Sequence, residues 1–144
     1  MIVNIDETDR ALVALLAENA RLPVSDLARR LGLARTTVQA RLDRLETQGV
    51  IAGYTLKRGA ALRPPLRATV LVALEPRAAP AVLSRLKSMP AVETVHTTSG
   101  RVDLLITLSA QDTEALDATL DKIGEAEGVR SSESLIHLST KIAR

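Results

Sequence analysis

Three times in the first fifty positions, apolar residues fall on a helical stripe. Leu12, Leu15 and Leu16, then Leu27, Ala28 and Leu31, then Val38, Leu42 and Leu45 recur at spacings of three and four, the signature of one buried helix face. Polar punctuation bounds each stripe. Asp6 suits the N-cap of a first helix over about Glu7–Glu18, whose first turn is acidic as the helix dipole favours. Pro23 suits the start of a second helix, with Ser25 and Asp26 in its first turn and Gly32 as its stop. The third runs from Arg35 to about Gln48 and ends at Gly49. The short link Gly32-Leu33-Ala34 between the second and third makes the pair a helix-turn-helix arrangement.

From residue 66 the rhythm changes. Residues 66–75 predict a strand, 78–89 a helix with Val82, Leu83 and Leu86 inward, and 92–99 a strand. Gly100 makes a turn into a strand over 102–108. A helix over 112–128 follows, with Leu116, Leu120 and Ile123 on one face, and a last strand begins at Val129. Strand, helix, strand, strand, helix, strand is the ferredoxin-like split βαβ order, both helices on one face of an antiparallel sheet. The runs "VLVAL" and "LLITL" are apolar on both sides, so the helix-free face is expected to bury itself against the same sheet of a second chain. Between the two patterns, "VIAGYTLKR" has strand-forming residues around Gly53, and the stretch to Pro64 and Pro65 reads as a linker. The expected organisation is α+β: residues 1–52 a helix-turn-helix domain, 53–65 a linker with a strand, 66–144 the ferredoxin-like domain. Tyr54 is expected to pack the linker against the head.

Composition narrows the chemistry. The 144 residues contain no Cys, Phe or Trp, and Tyr54 is the one aromatic. Disulfides, thiolate metal sites and thiol nucleophiles are excluded, as is recognition by stacking single-stranded bases on aromatic platforms. His96 and His137 stand in no metal-ligand spacing and read as structural or surface residues, although His96, two residues before Thr98 on the same strand face, is also placed to line a pocket there. No phosphate loop, nucleophile elbow or spaced acid pair marks a catalytic or cofactor site. No apolar run spans a membrane and no signal pattern precedes the first helix, so a cytoplasmic location is expected. The net charge of +2 hides an asymmetry. Residues 1–65 carry ten Lys/Arg against seven Asp/Glu, and residues 66–144 carry nine against ten. Six Arg lie between Arg21 and Arg44, against Asp26 and Asp43. That is the pattern of a polyanion-binding head on a near-neutral body.

The third helix fits double-stranded DNA. Opposite its apolar stripe lie Thr36, Thr37, Ala40 and Arg44, with Gln39 and Arg41 at the flanks. Arg pairs bidentately with guanine and Gln with adenine, while small Thr and Ala allow close approach or meet a thymine methyl. Arg29, Arg30 and Arg35 suit phosphates.

Four stretches carry a family resemblance: "IDETDRALVALLAENAR", "LARRLGLARTTVQARLDRLETQGVIAGYT", "TTSGRVDLLI" and "GVRSSESLIHLSTK". In this order they resemble the Lrp/AsnC (leucine-responsive/asparagine, feast/famine) regulators over nearly the whole chain. The resemblance implies a winged helix-turn-helix followed by a domain that dimerises, assembles into larger even-numbered oligomers and binds an amino acid. Ala34 stands where relatives often have Ser. Gly100 and Asp103 match the outer positions of the family's hairpin, while Arg101 and Val102 differ from its inner ones. The effector is expected there. The site would comprise Thr98, Ser99, Gly100, Arg101, Val102 and Asp103, with the carboxylate on backbone N–H groups around Ser99 to Arg101 and the ammonium on Asp103. The lack of Phe and Trp points to an aliphatic or polar ligand side chain, and Arg101 to an acidic alternative. Two other readings remain open: an architectural DNA-binding protein without effector, and a tetrapyrrole decarboxylase-like relative.

Overall fold

The structure, a computed structural model, describes residues 3–143. The chain divides into two compact units, Met1–Arg58 and Gly59–Arg144. The first holds three helices, α1 (Glu7–Glu18), α2 (Val24–Leu31) and α3 (Arg35–Thr47). A reciprocal capping box starts α1: the Asp6 carboxylate accepts from the Asp9 N–H at 2.8 Å, and the Asp9 carboxylate accepts from the Asp6 N–H at 3.2 Å. Gly32 stops α2 in the left-handed conformation, φ +65°, which Gly adopts without a Cβ penalty. Val50 and Ile51 close the C-terminal end of α3 by donating to the Leu45 carbonyl at 2.9 and 3.1 Å. The three stripes meet in one core of Leu12, Leu16, Leu27, Ala28, Val38, Leu42 and Leu45. Each fully buried leucine contributes about 1.5–3 kcal/mol.

The strand expected within residues 53–65 does not form, and among the described residues of this unit there is no wing hairpin. A strand needs a neighbour for its N–H and C=O groups, and none pairs with this segment. A single 3₁₀ turn, Ala60–Leu62, interrupts it. Tyr54 does tie the segment to α3, donating its hydroxyl proton to Glu46 at 2.7 Å.

The second unit contains β1 (Leu66–Leu74), α4 (Ala79–Lys87), β2 (Val92–Thr97), β3 (Leu104–Ala110), α5 (Thr113–Gly124) and β4 (Val129–Ile136). The sheet order is β2-β3-β1-β4, all antiparallel. Alternation along β1 and β3 turns Ala68, Val70, Val72, Leu74, Leu104, Ile106 and Leu108 onto Val82 and Leu86 of α4 and Leu116 and Ile123 of α5. The other face carries Leu71 and Leu105 in a half-buried central strip, extended by Leu135 and flanked by Thr69, Thr107 and the Arg67–Glu93 ion pair. It is therefore more polar than the runs "VLVAL" and "LLITL" suggest. No helix among the described residues is long and apolar enough to cross a membrane.

One close approach sets the top of this unit. Helix α5 ends at Gly124, four residues before the expected Gly128, and residues 125–128 turn back toward the loop between β1 and α4. Gly128 takes φ +94°, and a Cβ built on it would lie 2.5 Å from Ala78 Cβ. Its carbonyl accepts from the Glu75 N–H at 2.8 Å. We expect Gly128→Ala to cost about 1–3 kcal/mol, from the left-handed backbone and the overlap together. Chemical denaturation of the full chain checks this, and wild-type stability in the variant would refute the account of the contact.

Candidate functional site

In the first unit an ion cluster organises the recognition helix. Asp9 is fully buried, yet it sits on the face of α1 that carries Leu12 and Leu16. Burial of a lone carboxylate is costly, so partners are required. Arg41 Nη1 donates to Asp9 Oδ1 at 2.8 Å and to Asp6 Oδ2 at 2.7 Å, and Arg44 Nη2 donates to Asp9 Oδ2 at 2.5 Å. The two arginines leave α3 one turn apart, which lets one carboxylate take both. Burial pushes the Asp9 carboxyl up, the largest single effect. The hydrogen bonds from Arg41, the Asp6 N–H and Arg44 together outweigh it and hold the group below its ordinary value. Asp6 is also lowered, chiefly by Arg41. Arg41 and Arg44 were expected to read bases. In the structure both pair with Asp9, and Arg41 also with Asp6, contacts across the fold that lie out of sight of the local pattern.

Both halves of α3 reach solvent, and its C-terminal half shows Asp43, Arg44, Glu46 and Thr47. Arg35, Thr36, Thr37, Gln39 and Ala40 are exposed, and Ala34 at the N-cap supplies no side-chain acceptor, so the first N–H groups of the helix stay open. Gln39 donates to Asp43 at 2.8 Å along the helix surface, and Arg29 of α2 pairs with Asp26 at 3.0 Å. Arg21, Arg30 and Arg35 make no ion pair among the described residues. The Tyr54 hydroxyl is pushed up to about 12 by its bond to Glu46 and by burial, so it stays a neutral donor at the foot of the helix.

In the second unit the hairpin between β2 and β3 is closed tightly. The Thr98 N–H donates to the Asp103 carbonyl at 3.0 Å, Thr98 Oγ1 donates to the Val102 carbonyl at 2.7 Å, and the Asp103 N–H donates to Val72 at 2.9 Å. Gly100 crosses the tip at φ +130°. The Asp103 carboxylate accepts from the Leu74 N–H at 2.7 Å through Oδ2, so Oδ1 is left without a partner among the described residues. Beside the hairpin lies a cleft of 470 Å³, within the range of small-molecule sites. Of the six hairpin residues expected at the effector, Thr98 and Asp103 line it. Ser99, Gly100, Arg101 and Val102 do not, and Arg101 lies 3.4 Å from Glu133 instead. The cleft adds Glu75, Arg77 and Arg130, which the sequence reading passed over. Arg77 is marked by its backbone in the structure. It follows Pro76 in a turn closed by Ala78 N–H to Glu75 carbonyl at 3.1 Å, and has φ +65°, the third position of a type II turn, where Gly is usual. His96 and His137 are both exposed, and His137 Nε2 meets Thr69 Oγ1 at 2.8 Å.

Comparison with known proteins matches both units. Residues 5–46 match the AsnC-type helix-turn-helix domain, and residues 67–144 match the Lrp/AsnC ligand binding domain. The HTH-type transcriptional regulator LysM of Saccharolobus solfataricus is 30% identical over 138 residues, which is 95% of this chain and 96% of that protein. The HTH-type transcriptional regulator FL11 of Pyrococcus abyssi is 28% identical over 141 residues, 97% of this chain and 93% of its own. The structure of E. coli AsnC aligns with a TM-score of 0.90 at 26% identity, covering 99% of this chain and 97% of that one.

The ion cluster makes the first unit sensitive to acid. Asp6 and Asp9 are held below their ordinary value of 3.8, so the stability they contribute is complete above that value and is lost below it, as pH falls through their lowered folded-state values. Asp9→Asn should cost on the order of 2–3 kcal/mol at neutral pH and flatten the loss of stability below about pH 4. Far-UV circular dichroism melts across that range read both effects. An unchanged acid profile in the variant would remove Asp9 from this role.

Proposed function

The chain belongs to the Lrp/AsnC family of HTH-type transcriptional regulators, and we propose that its first unit reads double-stranded DNA with the N-terminal half of α3. In this reading its second unit pairs with a second copy and holds an α-amino acid beside the β2–β3 hairpin. The observation that carries the DNA surface is the division of labour among the arginines. Arg41 and Arg44 are neutralised by Asp6 and Asp9 and orient the helix. Arg35 and Arg30 stay free for phosphates, beside an uncapped helix start that favours anions. Thr36, Thr37 and Ala40 are short enough to bring the helix close to base edges, and the Gln39–Asp43 bond is exposed and cheap to exchange for an adenine. Arg29 joins the phosphate contacts once it leaves Asp26.

The strip of Leu71, Leu105 and Leu135 on the helix-free face suits an isologous contact with the same strip of a second chain, which would set two heads on a two-fold DNA site. Exposed Leu138 and Ile142 beyond β4 offer further apolar contact to larger even-numbered assemblies in the cytoplasm. For the effector, the unpartnered Asp103 Oδ1 suits the ammonium group. The N–H groups of Ser99, Gly100, Arg101 and Val102 make no bond among the described residues and suit the carboxylate, with Thr98 beside them.

Binding should follow salt with a slope set by the free cations. Arg30 and Arg35, with Arg29 once released from Asp26, correspond to a log–log slope of about −3 per head, where all six arginines would give about −5. Fluorescence anisotropy of labelled operator duplex across salt measures it. Arg35→Ala should weaken all sequences alike and reduce the slope by about one. A wild-type slope in that variant, or a slope near −5 per head, would overturn this division of the arginines. A thermal-shift screen tests the second unit, since an amino acid at one hundred times its Kd adds about 2.7 kcal/mol. No shift with any amino acid would sink the effector reading.

A further inference from the structure

The cleft beside the hairpin holds more cationic chemistry than the backbone of an amino acid needs. Arg77 and Arg130 line it from the two sides of the Gly128 contact, and neither makes an ion pair among the described residues. Glu75 and Asp103 line the same cleft, also without ion pairs. Elsewhere on the surface opposite charges within reach have paired, as Arg67 has with Glu93 and Arg101 with Glu133. Here four charges of both signs stay apart around one cavity.

Arg77 is held in place by its backbone. The Ala78 N–H closes the turn onto the Glu75 carbonyl, and the Glu75 N–H is fixed to Gly128 at 2.8 Å. The φ of +65° would be met without strain by Gly, so a side chain at this position needs a reason beyond the turn. The guanidinium supplies one. Its planar fork matches a carboxylate with two parallel hydrogen bonds.

We propose that this cleft selects amino acids with an acidic side chain, aspartate or glutamate, by placing the side-chain carboxylate on Arg77 and Arg130. The inference rests on the amino-acid reading above and deepens it. There the α-carboxylate meets the N–H groups of Ser99 to Val102, which lie outside the lining, and the ammonium meets Asp103, with Glu75 as a second acceptor, so that the ligand side chain is what enters the cleft. Both guanidinium groups are then surplus to the zwitterion, and a second anionic group on the ligand uses them.

The test is isothermal titration of the full-length protein with L-glutamate, L-aspartate, L-glutamine and L-asparagine, with the remaining standard amino acids as a panel. The acids should bind at least tenfold tighter than their amides, about 1.4 kcal/mol. Arg77→Gly should melt no lower than wild type, because Gly suits the turn, and should erase the preference. Arg130→Gln should erase it too, and Arg85→Gln, on the surface of α4, should keep it. Equal affinity for acids and amides, or a preference that survives in Arg77→Gly, would overturn the acidic selectivity and leave the amino-acid reading standing. Heat from none of the panel would overturn both.

Discussion

One carboxylate out of water governs the first unit. Asp9 has no access to solvent, so α1 can dock only where α3 presents cations to it, and Arg41 and Arg44 meet that demand one turn apart. The apolar stripes bring the helices together without fixing how far each is rotated about its axis. The directional bonds to Asp9 fix the rotation. The consequence reaches the far side of α3: with Arg41 and Arg44 tied to Asp9, Arg35, Thr36, Thr37 and Ala40 face outward without such a tie. Removal of one partner from such a buried pair is more damaging than the pair's net contribution, because the other charge is then stranded.

The second unit is governed by a steric constraint instead. The space that a Cβ on Gly128 would occupy is taken by Ala78, so the turn after α5 and the start of α4 meet at backbone distance. That meeting brings Arg77 and Arg130, which are far apart in the chain, to one cleft with Asp103 and Thr98. The two units thus place their chemistry by different means, ionic orientation in one and close backbone approach in the other.

The helices were legible because their signals are local. Three-and-four spacing, the Asp6 cap and the Gly32 stop all act within a few residues, and α1 and α3 run close to where those signals put them. The order of strands and helices was legible because short continuous apolar runs alternate with three-and-four spacing after residue 66, while the period-two burial of β1 and β3 shows only in the structure. The fate of Arg41 and Arg44 was not, since their partners lie 32 to 35 residues away. A trace of it was present, for Asp9 stands three residues before Leu12 and seven before Leu16, an acid on the buried stripe. The strand around Tyr54 failed for the opposite reason: its residues favour extended backbone, but pairing is decided by a neighbour that local propensity does not supply. Arg77 was hidden by its type, since only the observed φ shows it in a position usual for Gly.

The Asp9 cluster also imposes an order on how the head comes together. The capping box spans three residues and can form as α1 nucleates. The bond from Asp9 to Arg41 closes a loop of 32 residues, whose chain entropy is on the order of 3 kcal/mol. The same carboxylate therefore serves twice in sequence. It first steadies the start of its own helix, and it receives α3 only after the chain has doubled back through α2. The cap lies within α1 itself, and the second role requires the last helix of the head.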